Sequence, residues 1–264
     1  MGIVGVNHAR DRRPAVASVA KAAAVLQTFT PLTTTLSVRQ LAERTGIPRS
    51  TVHGLCSSLC DAGLLEQVNG RGYQLGPTLV TLGGHVIDRT GLVTAAERPL
   101  AAVQLDAGEE VHLAQLVESW VVYLDRRAGV RALPMRNRVG LRALAHRTGC
   151  GRAALATLPS ADRRHRVVDG CRKEQIAPPP LGELDTRLDH ALADGYVINS
   201  DFHPGRTSIA AAVLDAREQP VGGVSIAAAS AAVTASALRG MVQRVTRLAS
   251  DISRQLVDAA GRSR

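Results

Sequence analysis

Near the start of the chain, apolar side chains recur every three or four positions, the period of a helix with one buried face. Val19, Ala23, Val25 and Leu26 set that spacing between about Ser18 and Phe29, and Thr30-Pro31 closes the run because proline cannot continue the helical ladder. A second run opens at Ser37, a good N-cap, turns Val38, Leu41 and Ala42 inward, and stops at Gly46. Only Ile47-Pro48 separates it from a third, where Val52, Leu55, Cys56 and Leu59 share a face until Gly63. Pro48 suits a first turn, and Ser50 or Thr51 suits the start. Two short helices joined by a tight glycine-containing turn, the second opening on small polar and basic residues, describe a helix-turn-helix.

The period then shortens to two. Leu64, Leu65 and Val68 read as a strand, Asn69-Gly70 as a hairpin turn, and Arg71, Gly72, Tyr73 and Leu75 as the return strand, a wing with Arg71 at its tip. A connecting helix follows from Pro77 to about Arg89. Beyond it, helices near 93–105, 151–158, 161–168 and 184–193 mix with strands around Val111–Leu116, from Val121, and at 195–198, 207–214 and 221–227. A final helix, from about Ala235 to Ala259, carries Leu238, Met241, Val242, Val245, Leu248, Ile252 and Leu256 on one stripe. Strands mixed with helices but without regular alternation give an α+β class. The expected organisation is a flexible arm over 1–14, a DNA-binding domain over 15–76, a linker helix over 77–92 and a sensor domain over 93–260.

Composition narrows the possibilities. The 264 residues suffice for two small cores, and at 2% aromatics those cores must be built from Ala, Val and Leu. No apolar run is long enough to span a bilayer, and no signal-peptide pattern follows the basic start, so a cytoplasmic protein is expected. The net charge is +9, and basic residues are densest at the front: residues 1–75 carry eight Lys/Arg against four Asp/Glu, and 76–264 carry 24 against 19. Arginine dominates, with Lys21 and Lys173 the only lysines, and its planar fork suits phosphate. Arg49, Ser50, Thr51 and His53 fall at the start of the third helix, the part that reaches base edges when a helix lies in the major groove. Arg71 would reach phosphate or the minor groove, and Arg39 and Arg44 are further phosphate candidates.

Several segments resemble the isocitrate lyase regulator (IclR) family of bacterial transcription factors. Leu41 to His53 (LAERTGIPRSTVH) and Gly72 to Gly76 (GYQLG) are similar to its DNA-binding signature. Arg98-Pro99-Leu100, Val122 to Arg126 and His146 to Ala156 (HRTGCGRAALA) are similar to markers of its effector domain. The resemblance implies a winged helix, a linker helix, a GAF-like ligand-binding domain, and a homodimer or homotetramer on a double-stranded operator. It implies a repressor whose affinity for DNA responds to a small carboxylate or aromatic acid, with no cofactor and no membrane partner. Carried onto this chain, the family's effector pocket is Met135, Gly149, Cys150, Asn199, Asp201, Ser208 and Ser225. The chain departs from the family at Gly54, where an arginine usually follows the histidine, and at Asn199-Ser200-Asp201-Phe202, where the family often has an acidic run. Glycine inside a helix costs about 1 kcal/mol relative to alanine.

Other chemistries carry less. His146 and Cys150, four apart, suggest a thiolate pair on one helix face and hence a cysteine/histidine hydrolase, but no third orienting residue, nucleophile elbow or phosphate loop accompanies them. Cys56, Cys60, Cys150 and Cys171 read by themselves as small apolar filler. His85, His112, His190 and His203 are too scattered to suggest a metal site. A purely architectural DNA binder would not need so large a second domain.

Overall fold

A computed structural model describes residues 16–68, 70, 72–131 and 139–262. The expected arm, the wing-tip Arg71 and the pocket candidate Met135 lie outside them. The chain divides into two compact units, residues 1–89 and 90–264.

In the first unit, helices α1 (Ala17–Gln27), α2 (Val38–Thr45) and α3 (Arg49–Asp61) are followed by strands β1 (Leu65–Val68) and β2 (Gly72–Leu75) and helix α4 (Thr78–Asp88). Ser37 caps α2 with a reciprocal capping box: its hydroxyl accepts from the Gln40 backbone N–H, and the Gln40 side chain accepts from the Ser37 N–H. Gly46 ends α2 in the left-handed conformation at φ 69°, donating to the Ala42 carbonyl. Helix α3 begins at Arg49 on Pro48, which places Ser50 and Thr51 inside its first turn rather than at its cap. The core joins Val25, Leu41, Val52, Cys56 and Leu59 to Leu65 and Tyr73 of the hairpin. Leu36 pairs with Tyr73 as an isolated bridge, tying the loop before α2 to the wing sheet. On α1, Val19 and Ala23 are exposed and it is Ala22, Val25 and Leu26 that turn inward, so the apolar spacing there marked a helix but not its buried face.

The second unit is built on one antiparallel sheet in the order β5-β4-β3-β8-β7-β6: β3 (Glu110–Val117), β4 (Trp120–Ala128), β5 (Arg142–Leu144), β6 (Val197–Asn199), β7 (Arg206–Leu214) and β8 (Pro220–Ala229). Helices α5 (Gly91–Ala102) and α9 (Ala235–Arg262) cover one face, where alternate residues of the central strands (Val111, Ile209, Ala211, Val224, Ile226) meet Leu100, Met241, Val245 and Ile252. Helices α6 (Gly149–Ala156), α7 (Ser160–Lys173) and α8 (Leu181–Asp194) cover the other with Val121, Leu155, Val167 and Leu188. The architecture is α+β. Helix α6 lies unusually close to the sheet: a Cβ on Gly223 of β8 would sit 2.5 Å from the Cys150 carbonyl oxygen, and one on Gly149 would sit 2.9 Å from Ser208 Oγ. Helix α7 runs on to Lys173, beyond the 161–168 its weak apolar pattern suggested, and Arg163 in its first turn is buried rather than facing water.

Candidate DNA interface and effector cavity

Helix α3 has two distinct sides. Val52, Cys56 and Leu59 are buried, while Arg49-Ser50, His53-Gly54 and Ser57-Ser58 are exposed, one pair per turn. Thr51 is partly covered between them. Sequence reasoning stopped at His53 and missed Ser57 and Ser58, although the spacing extends to them. Arg39 is exposed on α2 and pairs with Glu43 at 3.3 Å. Arg44, also exposed, donates to the Thr28 carbonyl at 3.4 Å. Val68 pairs with Gly72 at the end of the hairpin, and Gly70 stands at φ 64°.

In the second unit, the α6 face of the sheet opens into a cavity of about 40 Å³. Four of the expected effector residues line it: Gly149, Asn199, Ser208 and Ser225. Gly149 starts α6, and the Asn199 side chain is fixed by donating to the Arg147 carbonyl at 3.1 Å and accepting from Arg152 at 3.0 Å. Cys150 is buried beside this group with its sulfur 4.0 Å from the His112 carbonyl, and Asp201 is exposed and paired with Arg152 at 3.0 Å; neither lines the cavity. At the start of α6 the Gly151 N–H is already taken by the Thr148 hydroxyl at 3.0 Å.

The cavity also contains residues that sequence reasoning did not single out. Glu110, 1% exposed, stands at the start of β3 with both oxygens engaged: Arg126 donates to one at 2.7 Å and Arg206 to the other. His112, Tyr123, Phe202 and His203 complete the wall. No local signal marks Glu110 or Arg206. They meet because β3 and β7 flank β8, a relation of long-range pairing.

The pair that the spacing of His146 and Cys150 allowed does not form. His146 sits in a 3-10 turn before α6, not on its face, and its Nε2 approaches Cys171 at 4.0 Å instead. Burial, with Arg152 and Arg147 nearby, pushes the His146 pKa down to about 4, and burial pushes the Cys171 thiol up. A neutral imidazole beside a thiol is the opposite of an activated nucleophile. Among the described residues no group of three or more His, Cys, Asp or Glu could hold a metal, and no helix is long and apolar enough to cross a membrane.

Comparison with known proteins agrees with this division. The IclR helix-turn-helix model matches residues 18–69, and the model of the bacterial transcriptional regulator IclR C-terminal domain matches 84–254. The HTH-type transcriptional regulator KipR of Bacillus subtilis is 24% identical, covering 84% of this chain and 90% of that protein. The glycerol operon regulatory protein of Streptomyces coelicolor is 28% identical over 81% and 85%. Among solved structures, an IclR family transcriptional regulator from Brucella abortus shares 25% identity over 96% of each chain at a TM-score of 0.75. An IclR homologue from Microbacterium hydrocarbonoxydans, complexed with 4-hydroxybenzoate, shares 21% over 90% and 98% at 0.70. With two family models covering both units, a helix-turn-helix at the front and regulators rather than enzymes among its relatives, the chain belongs to the IclR family of DNA-binding bacterial transcription regulators.

Proposed function

We propose that this regulator is a cytoplasmic repressor that binds a specific operator through α3 and releases it when a small organic acid occupies the α6-side cavity. The observation that carries the DNA half is the segregation of α3 into a buried apolar face and an exposed polar face. Arg49, Ser50, Thr51 and His53 would meet bases and phosphates in the major groove. Arg39 and Arg44 would hold the flanking backbone, and Arg71 on the wing would reach phosphate or the minor groove. Arg39 and Arg44 are tied only by weak, exposed contacts that phosphate can displace.

The sensor half rests on Gly149, Asn199, Ser208 and Ser225 converging on one cavity. The 4-hydroxybenzoate held by the Microbacterium homologue supports an organic acid as the class of effector. Paired copies fit a two-fold operator. No residue of α4 is buried within its own unit, and Val80, Leu82 and Val86 are exposed, an apolar surface suited to a second copy. Binding of the acid would shift the population between two dimer geometries of different DNA affinity.

A nuclease footprint on the DNA upstream of the chain's own coding sequence, with and without 4-hydroxybenzoate and small aliphatic acids, tests this reading. One protected, two-fold symmetric site that weakens with an acid is expected. Uniform protection along the DNA, or acids that bind the protein and leave the site untouched, would refute it.

A further inference from the structure

Around Glu110, at the cavity wall, the charges do not balance, and this carries the sensor reading to a named residue. Glu110 supplies one negative charge and faces two guanidinium groups, Arg126 and Arg206, which are 17% and 12% exposed. Arg126 directs both its Nε (2.8 Å) and its Nη2 (2.7 Å) at one oxygen of Glu110, and Nη2 of Arg206 is committed to the other oxygen. The Nη1 atom of Arg206 is buried and has no hydrogen-bond partner among the described residues, although Arg206 lines the cavity. A charged donor buried without a partner is costlier than a neutral one, and an anionic oxygen is its natural partner. Ser208 and Ser225, on the same wall, add hydroxyls for orientation.

We infer that Arg206, held in place by Glu110, is the residue that anchors the effector, and that the effector presents a single carboxylate to it. The inference rests on the sensor reading above and adds the group that sets ligand class. Glu110 is a positioning residue: it takes one amino group of Arg206 and leaves the other for the ligand. The cavity holds about three waters' worth of space, enough for the carboxylate head and not for a bulky acid. The remainder of the ligand extends towards Phe202 and His203, in the segment leading into Arg206.

Calorimetric titration of the full chain with acetate, pyruvate and 4-hydroxybenzoate, against 4-hydroxybenzamide and inorganic phosphate, tests it. At least one carboxylate should saturate the wild type at millimolar concentration, while the amide and phosphate should not. Arg206→Gln should weaken that binding by about tenfold or more, and Arg206→Lys, which keeps the charge beside Glu110 but loses the planar fork, should weaken it less. If Arg206→Gln melts early, Arg206→Lys decides alone, and unchanged affinity there overturns the inference. So do equal binding of acid and amide, preference for phosphate, or no carboxylate binding at all. Operator affinity measured in parallel separates the two readings. Carboxylate binding that needs Arg206 but leaves the operator unaffected refutes the sensor function and keeps the anchor. An operator response to acids that survives Arg206→Gln does the reverse.

Discussion

The two units handle charge in opposite ways. In the DNA-binding unit the cations sit outside: Arg49 is exposed, and Arg39 makes a single exposed pair with Glu43. In the sensor unit, charges are drawn into the protein. Glu110 is buried between two arginines, and Arg163, 4% exposed, donates at 2.6 Å to both Asp185 and Asp189. A surface that binds and releases a polyanion benefits from hydrated, loosely held cations whose partners are easily exchanged. A cavity that selects one small anion needs charges fixed in place, and fixing them inside the protein is costly unless each is matched.

Removing one buried charge should therefore damage the sensor unit far more than removing an exposed one damages its neighbour. Arg163→Ala leaves the buried Asp185 with Arg164 and the Ser160 hydroxyl alone. It should cost about 3–5 kcal/mol, whereas Arg39→Ala should change stability by less than about 1 kcal/mol. Trp120, the single tryptophan, lies in the sensor unit, so its fluorescence during urea unfolding reports that unit directly. Similar losses for both variants would erase the contrast.

Acid sharpens the same comparison. Burial holds the His146 pKa at about 4, below the usual value of 6.5, so the unfolded chain takes up a proton that the folded sensor unit refuses. Stability should thus be intact above about pH 6.5 and fall as pH drops towards 4, by about 2 kcal/mol between pH 7 and 5. Among the described residues of the DNA-binding unit no histidine is buried. The check is the urea midpoint of the Trp120 signal against pH, with His146→Leu expected to flatten it over this range.

At the DNA face the effects should be smaller for the fold and specific to binding. Arg49→Ala should leave the urea midpoint nearly unchanged and weaken operator binding by about tenfold, lowering the steepness of its salt dependence by about one. Fluorescence anisotropy on operator DNA at several salt concentrations measures both. An unchanged affinity would remove Arg49 from the interface.

The same contrast explains what the sequence made legible. Ser37, Gly46, Pro48 and Gly63 punctuate helices within a few residues of one another, so the helix-turn-helix and its exposed tip follow from local rules. Ser57 and Ser58 lay within reach of the same spacing. The cavity is different. Gly149, Asn199, Ser208 and Ser225 were named through family resemblance, and no local rule brings them together. Glu110 and Arg206, which dominate its electrostatics, are 96 positions apart and are joined only by the strand order β3-β8-β7. Arg163 carries no mark in the sequence, because a helical pattern shows burial of apolar residues, not of paired charges. Cys150 lies beside the cavity rather than in it for a related reason: Gly223 lets α6 press its backbone onto β8, and the thiol is buried.

The smallest expected effect concerns Gly54, where the family usually places an arginine. It lies on the exposed face of α3, and a Cβ built there meets no atom within 4 Å, so the glycine is not required by packing. Gly54→Ala should then raise the thermal midpoint of the DNA-binding unit by the equivalent of about 0.5–1 kcal/mol, through a better helix former and a less flexible unfolded chain. Circular dichroism melts would show this. Gly54→Arg adds a cation on this exposed face, and should strengthen DNA binding while steepening its salt dependence by about one. If Gly54→Ala stabilised the fold yet weakened operator binding, the bare backbone at this position would itself approach the DNA, and the family's arginine would have been exchanged for closer contact rather than lost.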